Sequence, residues 1–203
     1  MNTKNLLKWL KEWAGFILFM GLLLASRYFF WATVNVDGHS MDPTLANKEM
    51  LFIVKHSKID RFDIVVATEE DSKGKKKDII KRVIGMPGDT ITYKNDQLYI
   101  NNEMVDEPYL DAYKAEFQKD KLQSTYAYNA YFQQLAQEAT AFTVDSQKQA
   151  SFTIQVPENH YLLLGDDRIV SKDSRAVGTF SKEQITGEAK FRFYPFNRMG
   201  TVE

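Results

Sequence analysis

A chain of 203 residues with 26 Lys and Arg against 27 Asp and Glu has room for one ordinary domain plus an anchor or an insertion, and no charged field large enough to hold a nucleic-acid backbone. It has no cysteine, which excludes a disulfide framework, cysteine-ligated zinc and a cysteine nucleophile. Its three histidines, His39, His56 and His160, lack the spacing that puts two ligands on one helical face, so neither a metal nor a cofactor is assigned.

From Ala14 the chain reads AGFILFMGLLLASRYFFWATV, long enough as a helix to cross a hydrocarbon core of roughly 30 Å, and residues 14–34 are expected to form a transmembrane anchor. Arg27 falls in the second half of this run, where it can snorkel to an interface among Tyr28, Phe29, Phe30 and Trp31. Upstream, Lys4, Lys8 and Lys11 form a basic flank with Trp9 and Trp13, which places residues 1–13 in the cytosol and residues 35–203 outside. A cleaved signal peptide is the alternative; against it, the run exceeds an h-region of about 7–15 residues and a clear A-x-A-like cleavage site is lacking.

The rest is expected to be mainly antiparallel β. Strands are read at Met50–Val54, Phe62–Ala67, Asp78–Ile84, Thr90–Tyr93, Gln97–Ile100, Phe152–Val156, Tyr161–Leu164 and Ala189–Tyr194, punctuated by turns such as Pro87-Gly88-Asp89 and Lys94-Asn95-Asp96. Residues 113–150 shift to Gln, Lys, Ala and Tyr and are read as a partly helical insertion, most simply a mobile excursion without chemistry. The Lys73 to Lys77 cluster is most simply a solvated loop, with contact to anionic headgroups as the lesser reading.

Three segments carry candidate chemistry. Ser40 lies in GHSMDPTL between Gly38 and Pro43; at about 3.3–3.6 Å per residue it stays within about 25 Å of Thr33, so any reaction there happens near the bilayer surface. Taken alone, the motif is better explained by a turn with a capping hydroxyl. Lys81 interrupts the apolar strand DIIKRVIG, sharing a face with Ile79 and Val83 while Arg82 shares the other with Ile80 and Ile84, so at least one cation is buried. A lysine desolvated among aliphatics can be a neutral base; an edge strand that lets Lys81 escape to solvent is the alternative. The third segment, LLLGDDRIVSKDSR, concentrates charge directly after a buried strand and reads as a polar network or a solvated loop.

In order after one N-terminal span, SMDPTL, RFDIVVA, KRVIGMPGDTI and GDDRIVSKDSR closely resemble the boxes of bacterial type I signal peptidases, in the short single-span form typical of Gram-positive bacteria. The resemblance covers the anchor and nearly all of the outer domain except the insertion. It implies a β-rich membrane-anchored peptidase with a Ser/Lys dyad, no cofactor, and cleavage of exported preproteins after small residues at −1 and −3 of the signal peptide. By position, Ser40 would be nucleophile, Lys81 base, and Ser171 the serine that hydrogen-bonds and orients the lysine amine. Asp166, Asp173, Arg175 and Arg82 would brace the site, and Met41 and Pro43 would shape the nucleophile turn. Gly38 departs from the pattern: some members carry there a serine that helps stabilise the oxyanion, so this chain would depend more on backbone N–H groups. His39 adjoins the nucleophile but points away from it in an extended segment. Two rivals stay open: a self-cleaving Ser/Lys peptidase of the repressor-processing type, and a non-enzymatic anchored β-domain that binds exported proteins. The implied partners are signal peptides and membrane lipid; oligomeric state is not legible.

Overall fold

The structure, a computed structural model, describes residues 3–70 and 73–202, without the side chains of residues 3–8 and 10. Those of Lys4 and Lys8 in the expected basic flank therefore lie outside the described residues. Helix α1 (Thr3–Phe29) is built from long apolar residues with no proline to break it. Its Lys11–Phe29 stretch is long and apolar enough to cross a membrane, and Phe16, Leu18, Phe19, Leu22 and Leu24 point away from the rest of the protein.

The helix stops five residues before the expected boundary at residue 34. Phe30 N–H donates to the Ser26 carbonyl, the Trp31 indole N–H donates to Ser26 Oγ at 3.1 Å, and the chain turns into strand β1 (Trp31–Asn35). The cause is a switch in period that bulk hydrophobicity does not register: WATVN is as apolar as the helix but pairs residue by residue with MLFIV, from Trp31↔Val54 to Asn35↔Met50.

In chain order the remaining strands are β2 (Met50–Val54), β3 (Ile64–Glu70), β4 (Lys76–Gly85), β5 (Thr90–Lys94), β6 (Gln97–Ile100), β7 (Glu103–Val105), β8 (Ser151–Gln155), β9 (His160–Leu164), β10 (Phe180–Ser181), β11 (Ile185–Tyr194) and β12 (Gly200–Thr201). The larger sheet runs β1-β2-β11-β3-β4-β9-β10, with β12 on β11; the smaller runs β7-β6-β5-β8. The described pairings within both are antiparallel, as expected. All eight expected strands occur. Four short or apolar ones were not expected: β1, β7, β10 and β12.

Alternation sets the packing. In β2, Leu51 and Ile53 face inward and join Val36, Met41, Leu45, Ile64 and Val66 in one cluster, which anchors the turn carrying Ser40. Ile84, Leu162 and Leu164 join Ile91, Tyr93 and Leu98 in a second cluster that binds the two sheets together. Lys76 and Lys77 are not loop residues, in contrast to the expectation, because β4 begins there and sets them opposite Glu70 and Glu69.

The insertion is also more than an excursion. Helices α2 (Asp111–Asp120) and α3 (Ala130–Glu138) close over their own core of Leu110, Phe117, Leu122, Tyr126, Ala136 and Phe142, against which Ile169 and Val170 pack. Asn129 caps α3, its side chain accepting from the N–H groups of Tyr131 and Phe132. Weak polar periodicity in the sequence hid this core because its apolar residues are spread over two short helices and the turns between them.

Candidate active site

The turn at residues 37–46 holds Ser40 by both flanks. Gly38 has φ +97°, a conformation that favours glycine, and its N–H donates to Asn47 Oδ1. Met41, 1% exposed, plugs into the core, and Leu45 N–H donates to its carbonyl. The Ser40 carbonyl accepts from Asp167 N–H at 3.1 Å. The turn carrying Ser40 is thus tied to the segment after β9.

Lys81 reaches the same point from β4. Its Nζ donates to Ser40 Oγ at 2.7 Å and to the Ile80 carbonyl at 3.1 Å. Lys81 is 4% exposed and Arg82 1%, so both faces of the strand bury a cation and the escape to solvent does not occur. Burial pushes the Lys81 amine down to about 8, with Lys77 adding to the depression and the carboxylates of Asp173, Glu69 and Asp166 opposing it.

Arg82 and Asp166 form a buried fork. Arg82 Nε and an NH2 nitrogen donate to the two carboxylate oxygens at 2.9 and 2.8 Å, a third donor reaches the Phe62 carbonyl, and the guanidinium lies 4.0 Å from the Tyr109 ring centre. Thr44 Oγ1 donates to the same carboxylate at 2.6 Å, which couples β4 to the turn carrying Ser40. Asp166→Ala removes both carboxylate bonds from the buried Arg82 fork, and is expected to lower unfolding stability by about 3–5 kcal/mol, read from urea denaturation.

Asp173 caps the short helix α4 (Ser174–Val177), accepts from Gly165 N–H at 3.0 Å and receives both arms of Arg175 at 2.8 Å. Burial raises its pKa, and the Arg175 guanidinium more than compensates, holding it below the usual carboxylate range. Arg175 also donates to the carbonyls of Val144 and Arg168. Ser171 differs from expectation. Its buried hydroxyl makes no bond to the Lys81 amine, which is bonded to Ser40 and Ile80, and acts instead on the Asp173 carboxylate, whose pKa it helps to lower.

Other buried groups were not singled out from sequence. Arg168 donates to Glu107 at 2.6 Å and to the Tyr93 hydroxyl at 2.7 Å, fastening the segment after β9 to the smaller sheet. Asp167 accepts from the Tyr126 hydroxyl at 2.6 Å, while its other carboxylate oxygen has no partner; burial pushes it up to about 7. Arg168 and Asp167 could have been flagged from the charge density of GDDR, whereas Glu107 and Tyr126 sit in stretches with no signal.

Ser40 and Lys81 sit in a cleft of about 710 Å³ lined on one side by residues 35–41 and on the other by residues 75–81, with Glu69, Phe132, Val170 and Lys172. On its far side from β3, β4 pairs with β9 only from Arg82 to Gly85, so the 76–81 edge faces the cleft. His39 turns from Ser40, as expected: its Nδ1 lies 2.9 Å from Asp42 Oδ2 and its ring packs against Tyr128 and Phe132. Among the described residues, no group of three or more His, Cys, Asp or Glu side chains is placed to hold a metal ion.

The family model for signal peptidase, peptidase S26, matches residues 7–194. A signal peptidase I of Streptococcus pneumoniae (strain ATCC BAA-255 / R6) is 60% identical over 205 residues, covering 97% of this chain and 99% of its own. Signal peptidase I S of Bacillus subtilis (strain 168) is 40% identical over 98% of this chain and 94% of its own. A crystal structure of a signal peptidase I from Enterococcus faecalis V583 aligns with a TM-score of 0.46 and 30% identity, over 65% of this chain and 97% of that one. The chain therefore belongs to the signal peptidase, peptidase S26, family and to the enzyme class of signal peptidase I.

Proposed function

We propose that this peptidase removes signal peptides with Ser40 as nucleophile and Lys81 as general base, while α1 anchors the chain in the cell membrane with its N-terminus in the cytosol and the β-domain outside. The observation that carries the dyad is the 2.7 Å bond between a buried amine and the Ser40 hydroxyl at the floor of an open cleft. The anchor reading is supported by the outward-facing apolar side chains of α1, and its end moves to Phe29.

The preprotein lies as an extended strand between residues 35–38 and the open edge of β4, where alternate side chains share one face, so small residues at −1 and −3 enter the cleft together. The Ser40 proton passes to neutral Lys81 as Oγ bonds to the scissile carbonyl carbon. The tetrahedral adduct then collapses, the C–N bond breaks, and the Lys81 ammonium gives its proton to the departing amine. Lys81 next takes a proton from water, whose oxygen attacks the ester, and the proton returns to Ser40 Oγ as the signal peptide leaves. Gly38 brings no hydroxyl to the oxyanion, which leaves backbone N–H groups, that of Ser40 among them, for this role. Asp166, Arg82, Asp173 and Arg175 act by holding the two strands and the turn in register. Ser171 keeps the part of a positioning residue, acting through the Asp173 carboxylate that its hydroxyl helps to hold ionised.

The test is cleavage of a preprotein in detergent micelles by wild type, Ser40→Ala and Lys81→Ala, with the new N-terminus identified. Loss of cleavage after an Ala-x-Ala-like site in both variants supports the dyad; persistence in either moves the active site elsewhere.

A further inference from the structure

We propose that the insertion supplies a specificity wall to the cleft: Phe132, backed by Tyr128 and seated on His39, contacts the first two residues after the scissile bond and favours apolar side chains there. Residues 35–38 and 76–80 both run toward the catalytic end of the cleft, at Ser40 and Lys81. Resting on the substrate path proposed above, these strands hold the signal-peptide side, so the residues that follow the cut leave past the Ser40 end.

That end is where the insertion arrives. The Phe132 ring lies 5.9 Å from the His39 ring, adjacent in sequence to the nucleophile, and Tyr128 closes the group at 5.2 Å from His39 and 6.1 Å from Phe132. Phe132 is half-buried and lines the cleft with Val170, and Tyr128 is 59% exposed beside it. An apolar surface open to solvent and continuous with a peptide cleft gains from covering by an apolar side chain.

The wall is fixed, not draped. Asn129 caps the helix that carries Phe132, the His39 ring is held by Asp42, and the insertion is tied to the nucleophile by one short chain of bonds: Tyr126 hydroxyl to Asp167 carboxylate, Asp167 N–H to the Ser40 carbonyl. A side chain pressing on Phe132 therefore meets a surface whose distance from Ser40 is set.

The test uses the full chain in detergent micelles and two preprotein series, one varied at +1 and +2 among Ala, Leu, Phe, Asp and Lys, the other at −1 and −3. Wild type is expected to prefer apolar over charged residues at +2, and Phe132→Ala to flatten that preference at least fivefold through KM, with kcat and the −1/−3 preference unchanged. Phe132→Leu keeps the packing and is expected to retain most of the preference; exposed Tyr128→Ala is expected to lose about half. A +1/+2 preference untouched by Phe132→Ala in a folded enzyme overturns the wall, as does an equal loss on every substrate. Failure of the dyad is a separate outcome, seen as cleavage that survives Ser40→Ala whatever the +2 residue.

Discussion

Cleavage by the wild-type enzyme is expected to rise about tenfold per pH unit up to about pH 8 and then level off, and Lys81→Ala and Lys81→Met are expected to lose at least about 1,000-fold in kcat at every pH. The physical basis is desolvation. With the Lys81 amine pushed down to about 8, roughly a tenth of it is neutral at pH 7, against roughly one part in three thousand for a solvated lysine. The same burial gives a signature in stability with a fixed sign. The folded-state pKa lies below the unfolded value, so between about pH 8 and 10.5 the unfolded chain holds the proton that the folded chain has lost. Stability therefore rises with pH through that window, and the cost of burying the ammonium is fully present below it. Lys81→Met removes the cost: it is expected to be more stable than wild type by about 3 kcal/mol at pH 7, with the advantage fading between about pH 8 and 10.5. Rate and urea midpoint measured across pH 6–11 on wild type and Lys81→Met check both. An inactive variant that is more stable separates a catalytic amine from a structural one; a variant less stable at pH 7 would remove the buried-base account.

Which parts of this site were readable beforehand follows from how locally each is encoded. Lys81 and Arg82 stand out because a cation inside an apolar strand has few explanations, and both proved buried. Asp173 and Arg175 were legible because they pair two residues apart within one box, and Asp166 because its partner Arg82 lies in another of the boxes that carry the resemblance. The end of the N-terminal helix was not legible because Trp31–Asn35 is apolar in both readings; only its partner strand, about twenty residues away, decides for β. Glu107 beside Pro108 looks like loop polarity, and its pairing with Arg168 across 61 positions is a property of tertiary structure alone. The insertion failed in the same way: Phe132 is one aromatic residue in a polar stretch until the fold brings it to His39. Ser171 shows the opposite limit, a residue read as a partner of the amine whose hydroxyl acts on the Asp173 carboxylate, while the amine's bonds go to Ser40 and Ile80.

Gly165→Ala should reduce kcat by about 100-fold or more while costing about 1–3 kcal/mol of stability, although the change adds a single methyl group and replaces neither Ser40 nor Lys81. Gly165 ends the run LLLG and opens the charged segment, and glycine is required there by space. A methyl carbon would lie 2.6 Å from Ser171 Cβ and well inside van der Waals contact of the Ser171 hydroxyl and the Ser40 carbonyl oxygen. Neither neighbour can yield freely. The Ser40 carbonyl is held by Asp167 N–H, and the Ser171 backbone N–H is bonded to the Asp167 carbonyl, so the methyl must push the nucleophile turn away from β4 or the whole loop away from both. Gly165 N–H is itself bound to Asp173, which removes a backbone rotation as the way out. The first displacement lengthens the 2.7 Å bond between Lys81 and Ser40, on which proton transfer depends. It should therefore appear as a fall in kcat with KM nearly constant, since the 35–38 and 76–80 edges that would bind substrate lie away from the methyl. Steady-state kinetics with a preprotein, alongside thermal unfolding, distinguishes the cases: a KM effect alone, or full activity in a folded variant, would mean that the turn carrying Ser40 is not set by its contact with this glycine.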